Sequence, residues 1–252
     1  MLQLHNIRAQ SAPLLICLLI VGTLQASVGQ AELADPTKRA LYLSETLPNQ
    51  TLKERLQSCA LGDFYPTDFS IAHRGAPLGY PEHSREGYVA AAEQGAGVIE
   101  CDVTFTQDLA LVCRHSQCDL ATTTNILQTP LAAKCSKPFR PANGQQPASA
   151  TCCTTDISLA EFKTLCARPD QSNKKAKTVA QYLAPLRSPV VSKPLACGTL
   201  MTHAQSIELI DALGRKFTPE LKRPMVDMPF APGFTQAAYA DKLLAEYRAA
   251  GI

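Results

Sequence analysis

Glu100 and Asp102 stand one residue apart in VIECDV, a run that otherwise reads as a buried strand. Side chains alternate faces along a strand, so the two carboxylates share one face and Cys101 points to the other. His73 closes the apolar run FSIAH, His115 closes ALVCRH, and Glu220 sits inside KFTPELK. In parallel α/β folds functional groups gather at the carboxyl ends of strands, so three acids and a histidine would converge on one rim, with His115 reaching it from the next run. Three unpaired carboxylates would repel, and one or more would be driven to protonate. A divalent cation removes that conflict. Oxygen donors suit a hard ion, Ca2+ or Mg2+, and an extracytoplasmic setting (below) favours Ca2+. Taken singly, each residue has a plainer reading: a structural His, a surface ion-pair partner in Arg74, a loop cap in Glu220. Two acids in register inside an apolar strand are harder to explain that way, because burying charge is costly.

The elements that must hold these residues follow from the pattern. FSIAH is a short strand followed by the Gly- and Pro-rich loop RGAPLGYPEH. Ser84 is an N-cap, REGYVAAAEQG has helical spacing with Gly95 at its end, and VIECDV is the next strand. This βαβ unit implies a parallel pair. ALVC follows too closely for a parallel crossover, so it must double back as a hairpin. Thr202 and Gln205 form a capping box that opens HAQSIELIDALG. KFTPELK is a third parallel strand, and FTQAAYADKLLAEYRAAG a further helix.

The chain has 252 residues, of which 46% are hydrophobic, enough for a sizeable core. A formal net charge of +2 gives no reason to expect nucleic-acid binding. The lysines 174, 175 and 177 read as a solvated loop. The N-terminus carries one Arg, then the uncharged run APLLICLLIVGTL, then small residues, the pattern of a secretory signal peptide over 1–31. Cleavage after Ala26 is the alternative to Ala31. The apolar run is shorter than the ~20 residues that span a bilayer, which disfavours an anchor helix. No stable membrane span is expected after cleavage, and export to the periplasm or outside follows. Removing Cys17 with the leader leaves nine of the ten cysteines. An oxidising compartment favours up to four bridges among Cys59, Cys113, Cys118, Cys135, Cys152, Cys153, Cys166 and Cys197, with Cys101 the expected free thiol. Zinc is the rival reading, without a C-x-x-C pair to support it.

IAHRGAPLGYPEHS, VIECDVTFTQDLALVCRHS and TPELK, in that order and spacing, resemble the glycerophosphodiester phosphodiesterases. The resemblance implies a (β/α)8 TIM-type barrel and metal-dependent hydrolysis of glycerophosphodiesters to sn-glycerol 3-phosphate and an alcohol. It implies His73 and His115 as general acid and base, and Glu100, Asp102 and Glu220 as metal ligands. Arg74 and Lys222 would bind the substrate phosphate, with Glu82 in support. Histidine titrates near neutrality and arginine suits bidentate phosphate contact, so the chemistry of the residues agrees.

The pattern departs from the family at four places. His83 and Ser84 stand where Asn and Thr are usual, Leu109 stands where a turn Gly is common, and Ser116 follows His115 in place of Asp. A barrel of this kind needs about 250 residues and eight strands. Only three strands can be placed here. The expected organisation is therefore a leader over 1–31, a lead-in over 32–67, and a partial, C-terminally truncated barrel over 68–252 with a Cys-rich insert at about 117–197. Competing readings are a phospholipase D-like hydrolase of lysolipids or sphingomyelin, an inactive fragment, and a secreted binding module.

Overall fold

The computed structural model describes residues 39–59, 62–63, 65–184 and 195–252. The expected leader lies outside the described residues, among which no helix is long and apolar enough to cross a membrane. Helices α1 (Arg39–Glu45) and α2 (Gln50–Cys59) precede the first strand. The sheet is then built from β1 (Thr67–Ala72), β2 (Ala96–Phe105), β3 (Leu111–Cys113) and β8 (Lys216–Leu221). Strand β2 is central: β1 and β8 flank it in parallel, and β3 folds back antiparallel on its carboxyl end. The chain is thus α/β with a parallel sheet, with FSIAH, VIECDV and KFTPELK as the parallel strands.

Helix α3 (Arg85–Glu93) crosses between β1 and β2, and Ser84 caps it by accepting from the Gly87 N–H. Helix α7 (His203–Ala212) precedes β8, opened by the Thr202–Gln205 capping box, and α8 (Gln236–Ala249) follows it. Alternation along β2 divides its two faces. Ile99, Cys101, Val103 and Phe105 point toward the helices and pack with Tyr88, Ile210, Phe234 and Tyr239. The registers Ile71↔Val98 and Asp102↔Glu220 place Val98, Glu100 and Asp102 on the opposite face with Ile71 and Glu220. On that face Phe69 and Ile71 of β1 are 95% and 58% exposed. Gly97 allows β1 to pass close by, since a Cβ there would lie 1.9 Å from the Thr67 carbonyl oxygen.

Between β3 and α7 lies the Cys-rich segment. Its regular pieces are short: α4 (Leu120–Thr123), β4 (Lys137–Arg140), β5 (Ser149–Thr151), α5 (Leu159–Phe162), β6 (Cys166–Ala167), α6 (Val179–Tyr182) and β7 (Gly198–Thr199). Leu120, Ile126, Ile157, Phe162 and Tyr182 form a second core, joined to the sheet through Val112. Three disulfides staple this segment, Cys118–Cys153, Cys135–Cys152 and Cys166–Cys197.

The fourth bridge corrects the cysteine expectation. Cys101 is paired with Cys113, Cα to Cα 5.6 Å, and among the described residues Cys59 is the free cysteine, and it is exposed. The reason is the hairpin register. Val103 faces Cys113, so Cys101 is the diagonal neighbour of Cys113 on the same face, within bridging distance. Among the described cysteines, alkylation of the unfolded but unreduced protein should label Cys59 alone. Peptide mapping checks this, and label on Cys101 would contradict the hairpin bridge.

Candidate functional site

The acids converge because two loops close over the end of β2. After β1 the chain enters the left-handed region at Arg74 (φ 63) and Gly75 (φ 88), then again at His83 (φ 53). A side chain at Gly75 would meet Tyr88 Cδ1 at 3.0 Å. Non-glycine residues held in this region store strain, and such strain concentrates at functional sites. The loop is tied at its base by the His83 N–H donating to the Arg74 carbonyl at 3.1 Å. Its other anchor is the Arg74 N–H, which donates to Glu100 Oε2 at 2.6 Å.

Asp102 is wholly buried. His83 Nε2 lies 2.9 Å from Asp102 Oδ2, Arg74 Nε 3.8 Å from the same oxygen, and Lys222 Nζ 3.4 Å from Oδ1. Burial works to raise the Asp102 carboxyl, but the hydrogen bond to His83 and the charges around it hold it well below the ordinary carboxylate range. Its neighbour behaves oppositely. Burial, and then Asp102 alongside, pushes Glu100 up to about 8. One carboxylate is ionised and the other carries a proton at neutral pH, as expected for two acids sharing a site.

His83 is a member of this cluster that its sequence position did not disclose, beyond its being a departure from the family pattern. It is fully buried, and burial holds its ring below the usual histidine range. An ionised carboxylate only accepts, so Nε2 carries the proton toward Asp102. Nδ1 then accepts from the Tyr88 hydroxyl at 3.1 Å. Tyr88, itself buried, keeps its proton because burial raises it well above its ordinary value.

Arg114 is the second residue that the sequence left unremarked. It is fully buried, an uncommon state for an arginine. Its guanidinium donates to Glu82 Oε1 at 3.1 Å, to the Glu82 carbonyl at 3.3 Å and to Asp119 Oδ1 at 3.4 Å. Glu82 Oε2 in turn accepts from Arg74 Nη1 at 2.9 Å. Glu82 thus bridges the two arginines, and its carboxyl is lowered despite burial. A signal existed: an arginine closing an apolar strand directly before His115.

The remaining expected residues lie on the same rim at different depths. His73 follows β1 and is exposed, while His115 follows β3 and is half-buried. Lys222 follows β8 and bonds Glu220 Oε1 at 2.6 Å as well as pairing with Asp102. Glu220 is in register with Asp102, but its side chain is 56% exposed. The cluster of donor atoms within 4.8 Å of one another is His83, Glu100 and Asp102, without Glu220. His115, Lys222, Arg223, Met225 and Val226 help line an open cavity of about 690 Å³. The residues present suit a divalent cation: two adjacent carboxyls, an imidazole, and a buried Asp102 Oδ1 that has the Lys222 ammonium at 3.4 Å but no hydrogen bond.

Two outcomes follow. In the metal-free protein Glu100 holds a proton that the unfolded chain, at an ordinary value of 4.5, has already lost. Its contribution to stability is therefore complete below pH 4.5 and disappears as pH rises through about 8. The Tm of the metal-free protein should fall across that window more steeply than the Tm of Glu100→Gln; parallel curves would show that Glu100 titrates normally. Arg114→Met removes one partner from a buried ion network and should cost about 3–5 kcal/mol in urea unfolding. A loss under about 1 kcal/mol would mean that the network adds little.

Residues 73–242 match the sequence profile of the Glycerophosphoryl diester phosphodiesterase family. An "Extracellular protein" of Arthroderma benhamiae is 42% identical over 86 residues, 33% of this chain and 34% of that protein. "Probable glycerophosphodiester phosphodiesterase 1" of Mycobacterium tuberculosis is 47% identical over 49 residues, 19% of this chain and 18% of that one. An Oleispira antarctica phosphodiesterase, solved in complex with the product sn-glycerol-3-phosphate, aligns at 22% identity and a TM-score of 0.39. That alignment covers 70% of this chain and 51% of the other. The chain thus spans about a third or less of these curated relatives and about half of that solved structure. With the family profile matched over most of its length, the chain belongs to the glycerophosphoryl diester phosphodiesterase family.

Proposed function

We propose that the protein hydrolyses glycerophosphodiesters to sn-glycerol 3-phosphate and an alcohol, with His73 and His115 as a general acid–base pair. The observation that supports this most is a continuity of contacts. His115 and Lys222 line one cavity, and Lys222 pairs with Asp102 in the buried acid cluster. A phosphodiester in that cavity would have an imidazole at one side and cationic groups at another.

Each residue then has a task. Arg74, oriented by Glu82, and Lys222 neutralise and orient the phosphate. His115 gives a proton to the departing alcohol oxygen, and His73 takes one from the attacking oxygen. Glu100 and Asp102 would hold a divalent cation, with Glu220 the third acid on the rim. Such an ion, when bound, supplies Lewis-acid polarisation of a phosphoryl oxygen. The sequence expectation of Ca2+ or Mg2+ rests on those three oxygen donors. The barrel expected for this activity would use β1, β2 and β8 as three neighbouring parallel strands, with the Cys-rich segment as an insert beside the cavity.

Export fits the same reading. Four disulfides and the similarity to an "Extracellular protein" support an oxidising compartment, and residues 1–31 would be the leader.

The test is glycerophosphocholine hydrolysis followed by enzymatic detection of sn-glycerol 3-phosphate. Chelation should stop the reaction, and His115→Ala should lower the rate about 100-fold or more. Binding of the diester without turnover would instead favour a secreted binding module. Turnover of lysolipids in preference to glycerophosphocholine would favour the phospholipase D-like reading.

A further inference from the structure

His83 occupies an unusual position for a residue whose only task is structural. Its side chain has no solvent exposure, its backbone sits at φ 53, and its ring is aimed at Asp102. The strain of a left-handed non-glycine residue persists only where the surroundings over-determine it. Here they do: the backbone N–H of His83 is fixed by Arg74, Ser84 caps α3 immediately after it, and Tyr88 holds the far ring nitrogen.

The spacing of the donors is that of neighbours around one ion. His83 Nε2 and Asp102 Oδ2 are 2.9 Å apart, and with Glu100 all three donor atoms lie within 4.8 Å of one another. Ligands about 2.0–2.2 Å from a dication stand roughly 3 Å apart along a coordination edge. Tyr88 completes the arrangement. A histidine that ligates through one nitrogen is oriented through the other by an outer partner. A hydroxyl both donates and accepts, so Tyr88 supports Nδ1 in either tautomer. With Nε2 bare for an ion, the proton sits on Nδ1 and the Tyr88 oxygen accepts it.

We infer that His83 is a nitrogen ligand that joins Glu100 and Asp102 in a mixed nitrogen–oxygen site, and that this site takes a transition-metal dication in preference to Ca2+ or Mg2+. The inference rests on the reading that Glu100 and Asp102 hold a divalent cation, and it replaces the all-oxygen donor set behind the Ca2+ or Mg2+ expectation. Imidazole is a poor ligand for the hard alkaline-earth ions and a good one for Co2+ and Zn2+, with Mn2+ tolerant of both donor types. Glu220 then stands outside the inner set, engaged by Lys222.

The experiment uses the full chain, stripped of metal and loaded with Mn2+, which reports its ligands by electron spin-echo envelope modulation. Directly coordinated 14N is expected. It should survive in the double variant His73→Gln, His115→Gln, whose substitutions fall on an exposed and a half-buried side chain, and vanish in His83→Asn. In parallel, competition titration should show Co2+ binding at least about tenfold more tightly than Mg2+ or Ca2+, and His83→Asn should erase that preference. Mn2+ bound without 14N coupling, or coupling lost in the double variant, overturns the inference and leaves the cation reading standing. Failure of every dication to bind overturns both. Should His83→Asn fail to fold, the wild-type spectrum and the double variant still decide.

Discussion

A wholly buried, ionised Asp102 is the constraint around which this end of the molecule is built. A lone carboxylate in that position would cost several kcal/mol, so it is tolerated only where other elements bring compensating groups. Each neighbouring element supplies one. The loop after β1 brings Arg74, its continuation before α3 brings His83, and the residue after β8 brings Lys222. The hairpin contributes through the backbone, since the Arg114 N–H donates to the Asp102 carbonyl at 2.8 Å. Three segments of the chain are thereby fixed to one residue.

A second tier holds the first in place. Arg74 lies near Asp102 because Glu82 restrains its guanidinium, and Glu82 is restrained by Arg114. Arg114 also reaches Asp119, the N-cap of α4, and Asp119 Oδ2 accepts from the Ser116 N–H at 3.0 Å. Through this ladder the Cys-rich segment touches the chemistry without contributing to the acid cluster itself. Gln117 makes a second link, its Oε1 accepting from the Met225 N–H at 2.6 Å in the cavity wall. The Cys101–Cys113 bridge lies on the other side of β2, joining the strand of the acids to the strand that ends at Arg114 and His115. Packing, ion pairs and a covalent link thus brace one short hairpin.

Much of this was legible in the sequence because it depends on local periodicity. Alternation along VIECDV put Glu100 and Asp102 on one face, the short link to ALVC forced a hairpin, and Ser84 and Thr202 announced their helices. Leu109 shows the limit of that reading. It stands where a glycine is common in the family, and its φ of 64 shows the backbone need that glycine would meet. Cys101 shows another limit. Alternation gave its direction correctly, but whether a thiol met it depended on the register of the returning strand, which no count along the chain supplies.

The sequence by itself determined the order of elements, the face of each strand and the residue types at the rim, because these follow from neighbours within a few positions. Only the tertiary structure decided which of those residues share an environment. Glu100 and Asp102 look alike in the chain, yet in the metal-free protein one carboxyl is pushed up and the other held down, because His83 and Lys222 approach Asp102 while burial dominates at Glu100. For the same reason the His83 ring joins the two acids, while the Glu220 side chain lies outside their cluster and is largely exposed. A strand register fixes position along the sheet, but the inward reach of a side chain is set by the loops that fold over it.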